Sequence, residues 1–550
     1  MKAQFTLVIF LLFWLTGLNA QTGFIDGSVV PLKPQSPLFG KDIVIHDQPD
    51  RNQRNLAVCS AFNGWLYAVY SYNNGIQPYV TFIRSTDNGI SWNVIGDFVS
   101  VPQNNITTKL DIIACGNSLS TLKIFMAAAT TDTTSWPIGE WGMESVVRYQ
   151  GEPFVGEAFI LSDGGNVANR NHYIALASDQ NYSPTNANPF SIAVVYTKPG
   201  YGTKDTLKYC SSSNGGISFD NKRIVGLSNQ SLEKVAISYG RSPSKPEGRY
   251  FVAWEKKNPN NASTGHIYTS HTEPNFDSPF THPVCLDSLD PASINKFRNP
   301  VIACQVNDAD NDSSNLTEVV LFDKYDLSNL KYDITGYYNL QATNHSNFKK
   351  LSISNSAHNN IQPSINFNPF DSTFMVTYYD STTQKLPFFL NNFNLKNPDN
   401  WQIVTIGYND DGNLSAPYPK VKVNFGQQDG INAWISEGTG GNGIAMFDAS
   451  YSTYTGISGH GTGTSAKLIG SYPNPCSNTI KISFELKKTE NVTIDMLGIM
   501  GQPLGTVTDQ DYSAGKHIVK YDVSDLPNGN YLYNFRSGDF NATGKFTVIR

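Results

Sequence analysis

Charge is scarce in this chain: Asp, Glu, Lys and Arg make up 16% of its 550 residues, and the formal net charge is −6. No Lys/Arg block stands out, which excludes the basic patch that nucleic-acid binding normally requires. Beyond the first fifteen or so residues, no run is apolar enough to span a bilayer, which takes about 20 residues. His172, His358 and His460 stand alone, and no His/Cys group has zinc-ligand spacing. A glycine-rich phosphate loop is missing, and Gly456-Ile457-Ser458-Gly459 lacks the spacing of a hydrolase nucleophile elbow. Six cysteines (Cys59, Cys115, Cys210, Cys285, Cys304 and Cys476) are too scattered for a tight disulfide framework. Those at Cys59, Cys115 and Cys304 fall on apolar strands and read as buried thiols acting as small hydrophobes.

What is present points outward from the cell. Met1-Lys2 precedes an almost wholly apolar run, Phe5 to Leu15, with Asn19-Ala20-Gln21 offering a cleavage point. The run is too short to span comfortably, so residues 1–20 read as a cleaved secretory signal. Aromatic residues, Asn, Ser, Thr and Gly are abundant, as expected of β-rich extracellular proteins with many turns.

The organising fact is an internal repeat. Its members are Leu56-Ala57-Val58-Cys59, Ile112-Ile113-Ala114-Cys115, Tyr173-Ile174-Ala175-Leu176, Val235-Ala236-Ile237-Ser238, Val301-Ile302-Ala303-Cys304, Ser364-Ile365-Asn366-Phe367 and Val421-Lys422-Val423-Asn424. Most are followed by a more apolar partner, such as Ile192-Ala193-Val194-Val195-Tyr196. Cys59 and Cys115 are 56 positions apart, and the other intervals are roughly 60, a period that implies a repeat architecture. Small apolar strands separated by polar turns predict an all-β fold, a β-propeller of four-stranded blades over residues 21–451. The repeated strands should lie innermost, where packing near the axis favours small side chains. The last repeat is one strand short, and Asp42-Ile43-Val44-Ile45-His46 can supply the missing outer strand. Seven blades are therefore expected, with six as the alternative.

Ser85-Thr86-Asp87-Asn88-Gly89-Ile90-Ser91-Trp92 matches the pattern S-x-D-x-G-x-x-W. A degenerate copy runs from Ser212 to Phe219, and a weaker echo spans Asn397 to Trp401. The pattern resembles the Asp box of the sialidase/BNR-repeat superfamily, and the resemblance covers roughly Asp42 to Ser450. Its structural residues here are Ser85, Asp87, Gly89 and Trp92: oxygens capping backbone N–H groups, a turn glycine and a packing tryptophan. In that family the box lies away from the active site and reports fold.

Residues 452–467, including the Gly/Ser/Thr-rich run Ser452 to Ser465, read as a flexible linker. Beyond it come Ser471-Tyr472-Pro473-Asn474-Pro475, the alternating strand Thr479 to Phe484, Leu526-Pro527-Asn528-Gly529-Asn530-Tyr531 and the closing Lys545 to Arg550. This order resembles the type A C-terminal sorting domain of type IX secretion cargo. The resemblance covers residues 468–550 and implies a small Ig-like β-sandwich that engages the secretion machinery. It also implies export across the outer membrane to the cell surface or the medium.

Sialidase chemistry, as the resemblance implies it, needs an arginine cluster, a Tyr–Glu nucleophile pair and a further acid. Arginine suits a substrate carboxylate because its planar fork makes two charge-assisted bonds. The early Arg-Ile-Pro motif is absent. Arg54, Arg170 and Arg298 nevertheless each precede an inner strand and are followed by Asn. Loops leaving the second strands carry Glu255, Asp323, Asp380 and Glu437 and should open on the same face. These seven are the candidate ligand-binding residues. The alternative is structural, with Arg-Asn hydrogen-bonding neighbouring blade loops. Asp308, Asp310 and Asp312 resemble the start of a calcium loop, but Ser313 replaces the expected Gly and Val319 the expected Glu. A solvated hairpin tip fits better, so neither a metal nor any other cofactor is assigned. The expected function is binding of a glycan or a surface protein at the propeller mouth. The alternative is an exo-acting glycoside hydrolase of sialidase type.

Overall fold

The computed structural model describes residues 42–450 and 466–548, except for short segments. Those lie at 74–77, 100–104, 117–118, 133–141, 151–154, 163–171, 180–189, 201–203, 243–244, 259–260, 274–279, 290–295 and 307–315. Further ones lie at 343–346, 355–356, 370–372, 392–400, 406–408, 410–413, 415–416, 426–428, 439–440, 473–475, 499–502, 528 and 539. The expected signal (1–20), most of the expected linker, Arg170, Asp308, Asp310, Asp312 and the echo at Asn397 to Asn400 fall outside the described residues.

Between Ile43 and Ser450 the described chain forms seven four-stranded antiparallel sheets and no α-helix. Each sheet is a blade. The innermost strands, in chain order, are Arg54–Ser60, Asn105–Cys115, Ile174–Ser178, Ser231–Ser242, Lys296–Cys304, Asn360–Asn368 and Lys420–Asn424. Each touches the innermost strand of the next blade, and the last touches the first, so the ring closes. All seven repeated segments of the sequence lie on these strands or, for Tyr173, directly before one. Small, β-branched and sulfur side chains recur there because each inner strand packs against both neighbouring blades. In the first strand, Leu56 and Val58 join the core shared with blade seven, while Ala57 and Cys59 join the core shared with blade two.

Closure is completed by the N-terminal strand. Ile43 and Val44 pair with Phe447 and Met446 as the outermost strand of blade seven. The Ile45 N–H donates to Ala445 O at 2.9 Å. The final repeat is thus filled from the other end of the chain, as its sequence predicts. On the inner strands, hydroxyls stitch blade to blade. Ser238 Oγ accepts the Cys304 N–H, Ser364 Oγ the Val421 N–H and Ser60 Oγ the Phe425 N–H, each at 3.1 Å.

The turn at residues 85–92 explains its own sequence. Ser85 Oγ accepts the Gly89 N–H at 2.8 Å, and Asp87 Oδ1 accepts the Ser91 N–H at 2.9 Å. Gly89 has φ +89°, and a Cβ there would sit 2.1 Å from the Phe447 ring. Trp92 crosses to blade seven and meets Phe447 edge-on, with ring centroids 5.3 Å apart. In blade three, Ser212 Oγ and Asn214 Oδ1 accept the Gly216 and Ser218 N–H groups in the same way.

Residues 466–548 form a three-stranded and a four-stranded sheet. They share one core, in which Ile482 and Phe484 of one sheet meet Ile494, Phe535 and Phe546 of the other. All six cysteines are free thiols. No helix among the described residues is long and apolar enough to cross a membrane.

Candidate functional site

One end of the ring is built from a recurring irregularity. At the start of four innermost strands the ladder slips, and a residue other than glycine takes a left-handed conformation: Asn55, Lys234, Asn299 and Gln362, with φ of 54°, 48°, 55° and 58°. Each is a β-bulge, which frees one residue from the ladder and re-aims its side chain. The pairs Arg54-Asn55 and Arg298-Asn299 have their physical reason here, since asparagine tolerates this backbone region better than most residues.

The described candidate residues lie at this same end, because each second strand finishes where its inner strand begins. Glu233 pairs with Glu255, Arg298 with Asp323 and Asn360 with Asp380 in the ladders. Two of the carboxylates bridge blades. Glu255 Oε2 accepts the Asn299 N–H of blade five at 3.2 Å, and Asp323 Oδ1 accepts the Gln362 N–H of blade six at 2.9 Å. Asp323 Oδ2 also accepts from Arg298 Nε at 3.0 Å and Asn299 Nδ2 at 2.7 Å. Arg298 is thus tied to Asp323 of its own blade, with its guanidinium 3.8 Å from the centre of the Tyr332 ring. Asp380 accepts from His358 Nδ1 at 2.6 Å and from the Thr382 N–H at 3.0 Å, closing a turn. Arg54 and Glu437 are exposed, and neither forms an ion pair with a described residue.

Burial sets the acidity of the two bridging carboxylates. Asp323 is fully buried, and its carboxyl is pushed up to about 6 despite the opposing charge of Arg298. Glu255 is raised for the same reason, opposed by Lys257, which lies 3.6 Å from its Oε1.

Lysines without a recognisable sequence motif complete the mouth. The Lys109 amine of blade two meets the Lys420 amine of blade seven, each half-buried. Lys109 is held well below the usual lysine range by the charge of Lys420 and by burial. Burial lowers Lys420, and Asp111 opposes that shift. Across the ring, Lys234 Nζ lies 5.0 Å from the centre of the Tyr173 ring and 5.8 Å from that of Tyr418. Away from the mouth, a small cavity lined by Ser60, Ile113, Asn366 and Lys422 touches the innermost strands of blades one, two, six and seven. The available signal was Lys420-Val421-Lys422: alternating lysines on a strand whose counterparts carry small residues.

Elsewhere, His266, Cys285 and Asp287 place one potential metal-ligand atom each within 4.8 Å of one another. They are joined by hydrogen bonds, His266 Nδ1 to Asp287 Oδ2 at 2.5 Å and Cys285 Sγ to Asp287 Oδ1 at 3.4 Å. His172 is buried against Glu144.

Ring and mouth define an all-β propeller, followed in the chain by a smaller domain of two sheets. Residues 471–549 match the family described as the secretion system C-terminal sorting domain. The chain is handled by the type IX secretion machinery and is destined for the cell surface or the medium. No curated protein sequence matches the chain. Among solved structures, it is similar to the GH93 alpha-L-arabinofuranosidase of Fusarium graminearum solved with arabinobiose. That likeness has 11% identity and a TM-score of 0.42, over 75% of this chain and 97% of that one. It is also similar to a Dyadobacter fermentans protein of unknown function, with 9% identity, a TM-score of 0.40 and coverage of 74% and 97%. The polysaccharide lyase Uly1 is alike at 8% identity, with a TM-score of 0.41 and coverage of 78% and 94%. These likenesses concern shape alone.

Proposed function

We propose that the exported protein binds a glycan at the bulged mouth of its propeller. The observation that carries this reading is Tyr418, a residue 48% exposed with its ring beside Lys234. An exposed aromatic face offers a flat apolar surface with a polar rim, and the neighbouring ammonium supplies a hydrogen-bond donor. Asn55, Lys234, Asn299 and Gln362 stand at bulges around the same end. A site with few apolar walls and many donors suits a hydroxyl-rich ligand better than an apolar protein face.

The second reading, an exo-acting glycosidase of sialidase type, is favoured by the raised pKa of Glu255 and of Asp323, since such groups cluster at functional sites. Against it, both carboxylates bind backbone N–H groups of the next blade. Glycoside hydrolysis needs two carboxylates free to flank the scissile bond.

The test is to incubate the purified exported protein with a panel of neutral, uronate-containing, sulfated and sialylated polysaccharides, measuring both retention and released sugar. Retention without release supports binding. Sugar release abolished by Asp323→Asn or Glu255→Gln would replace binding with hydrolysis. Retention of a protein partner in place of any glycan would discard the glycan reading.

A further inference from the structure

Three side chains of different chemistry meet at the outer edge of blade four. That edge is the two-residue strand Val284–Cys285, which pairs with Thr269 and Tyr268 of the strand Asn261–His271. The pairing runs on through one more bond, Leu286 N–H to Ile267 O at 2.8 Å, and so brings Asp287 opposite His266. Alternate residues of a strand face the same way, so Cys285 and Asp287 share the side on which His266 lies. Asp287 is buried and fixed by the Ile267 N–H, which donates to its Oδ1 at 2.9 Å. The imidazole and the thiol both turn to that one carboxylate, 2.5 Å from Oδ2 and 3.4 Å from Oδ1. No Lys or Arg pairs with Asp287 among the described residues. Lys256, opposite His266 in the next ladder, holds its amine over the Tyr268 ring, 5.3 Å from the centre. The cluster is also within reach of solvent. The His266 side chain is 46% exposed, and Cys285 alone of the six thiols is not buried.

We propose that His266, Cys285 and Asp287 form a zinc-class metal site that fastens the outer edge of blade four. A thiolate with an imidazole selects a borderline or soft divalent ion over calcium and magnesium, which take oxygen ligands. Zinc binds sulfur at about 2.3 Å, and nitrogen or carboxylate oxygen at about 2.0 to 2.2 Å. Tetrahedral ligands at those lengths stand about 3.3 to 3.6 Å apart. The imidazole need therefore swing back by only about 1 Å to admit the ion. On binding, the Cys285 S–H bond breaks, its electron pair goes to the metal and its proton to solvent. The His266 Nδ1 lone pair makes the second bond, with the ring proton on Nε2, and an Asp287 oxygen makes the third. The fourth position is left to water. The shortest kind of outer strand is then tied to its neighbour by side chains as well as by backbone. No zinc spacing shows in the sequence because the ladder, not the chain, brings His266 to Cys285-Leu286-Asp287.

The full exported protein is freed of metal with a chelator under reducing conditions, then titrated with zinc by calorimetry and with cobalt(II) by absorption. Wild type is compared with His266→Gln and Cys285→Ala, and with His517→Gln in the C-terminal domain as control. The expected result is one zinc per chain and a thiolate-to-cobalt charge-transfer band in the near ultraviolet. Zinc affinity should fall at least tenfold in either site variant and stay unchanged in the control. Zinc should also protect Cys285 from iodoacetamide, read by peptide mass spectrometry, where calcium and magnesium do not. That comparison needs no variant, so it decides the matter even if a substitution impairs folding. Zinc binding that survives both substitutions, or a cobalt complex without the thiolate band, would overturn the site. So would alkylation of Cys285 at the same rate with and without zinc.

Discussion

The Gln362 N–H donates to Asp323 Oδ1 at 2.9 Å, so a carboxylate on the second strand of blade five holds the bulge of blade six. Asn299 and Glu255 repeat the relation one blade earlier. The mouth is therefore latched from blade to blade by buried carboxylates.

Asn299 joins both latches. Alanine there would lose a hydrogen bond to Asp323 and face a left-handed backbone that only glycine and a few polar residues accept readily. Asn299→Ala should cost about 2 to 3 kcal/mol. Asn299→Gly, which keeps the backbone comfortable, should cost less. Denaturant unfolding of the two variants checks the order; equal losses would remove the backbone part of the account.

The strand at Ile43 should act as a clasp. Ile45 is buried in the core shared by blades one and seven, and its N–H bonds to Ala445. Ile45→Ala should destabilise the ring by about 2 to 4 kcal/mol. Hydrogen exchange should show the loss first in blade seven, around Ala445 to Phe447. Loss confined to a distant blade would contradict the closure described here.

Gly89→Ala tests the turn at residues 85–92. The new methyl would collide with Phe447, and φ +89° is strained for any L side chain. A loss of at least 1 to 3 kcal/mol is expected, with Gly216→Ala behaving alike against Phe125. Glycan retention by the surviving folded protein should be unchanged, because this turn lies at the end of the ring opposite the mouth.

Much of this was legible in the sequence. Small-residue strands at a regular interval marked the innermost strands, since only the packed axis demands that composition. The short final repeat, with an unassigned strand near residue 43, disclosed the ring closure. The Arg54-Asn55 and Arg298-Asn299 pairs were visible too; both asparagines sit at bulges, and Arg298 is held by its own blade's Asp323. The lysine pair was not legible. Lys109 and Lys420 are far apart in the chain, and only the closed ring brings their amines together.

Glu318 carries the clearest pH dependence. It is buried in blade five, accepts from Thr269 Oγ1 at 2.6 Å, and burial pushes its carboxyl up to about 8 from an ordinary 4.5. The folded state therefore holds a proton that the unfolded state releases. This contribution to stability is complete below about pH 4.5 and is lost as pH rises through about 8. The loss should be about 5 kcal/mol or less, at roughly 1.4 kcal/mol per pH unit. Urea unfolding from pH 6.5 to 9 should show wild type weakening more steeply than Glu318→Gln; parallel curves would count against it.

The central claim is that the bulged mouth, and not the opposite end of the ring, binds glycan. Affinity electrophoresis of the purified exported protein through gels containing the retained polysaccharide tests it most directly. Wild type is compared with Tyr418→Ala at the mouth and Trp65→Ala at the far end, where Trp65 lies beneath Arg84. The account predicts at least tenfold weaker retardation for Tyr418→Ala and wild-type retardation for Trp65→Ala. Undiminished retardation of Tyr418→Ala, with loss in Trp65→Ala, would place the ligand at the wrong end and contradict it.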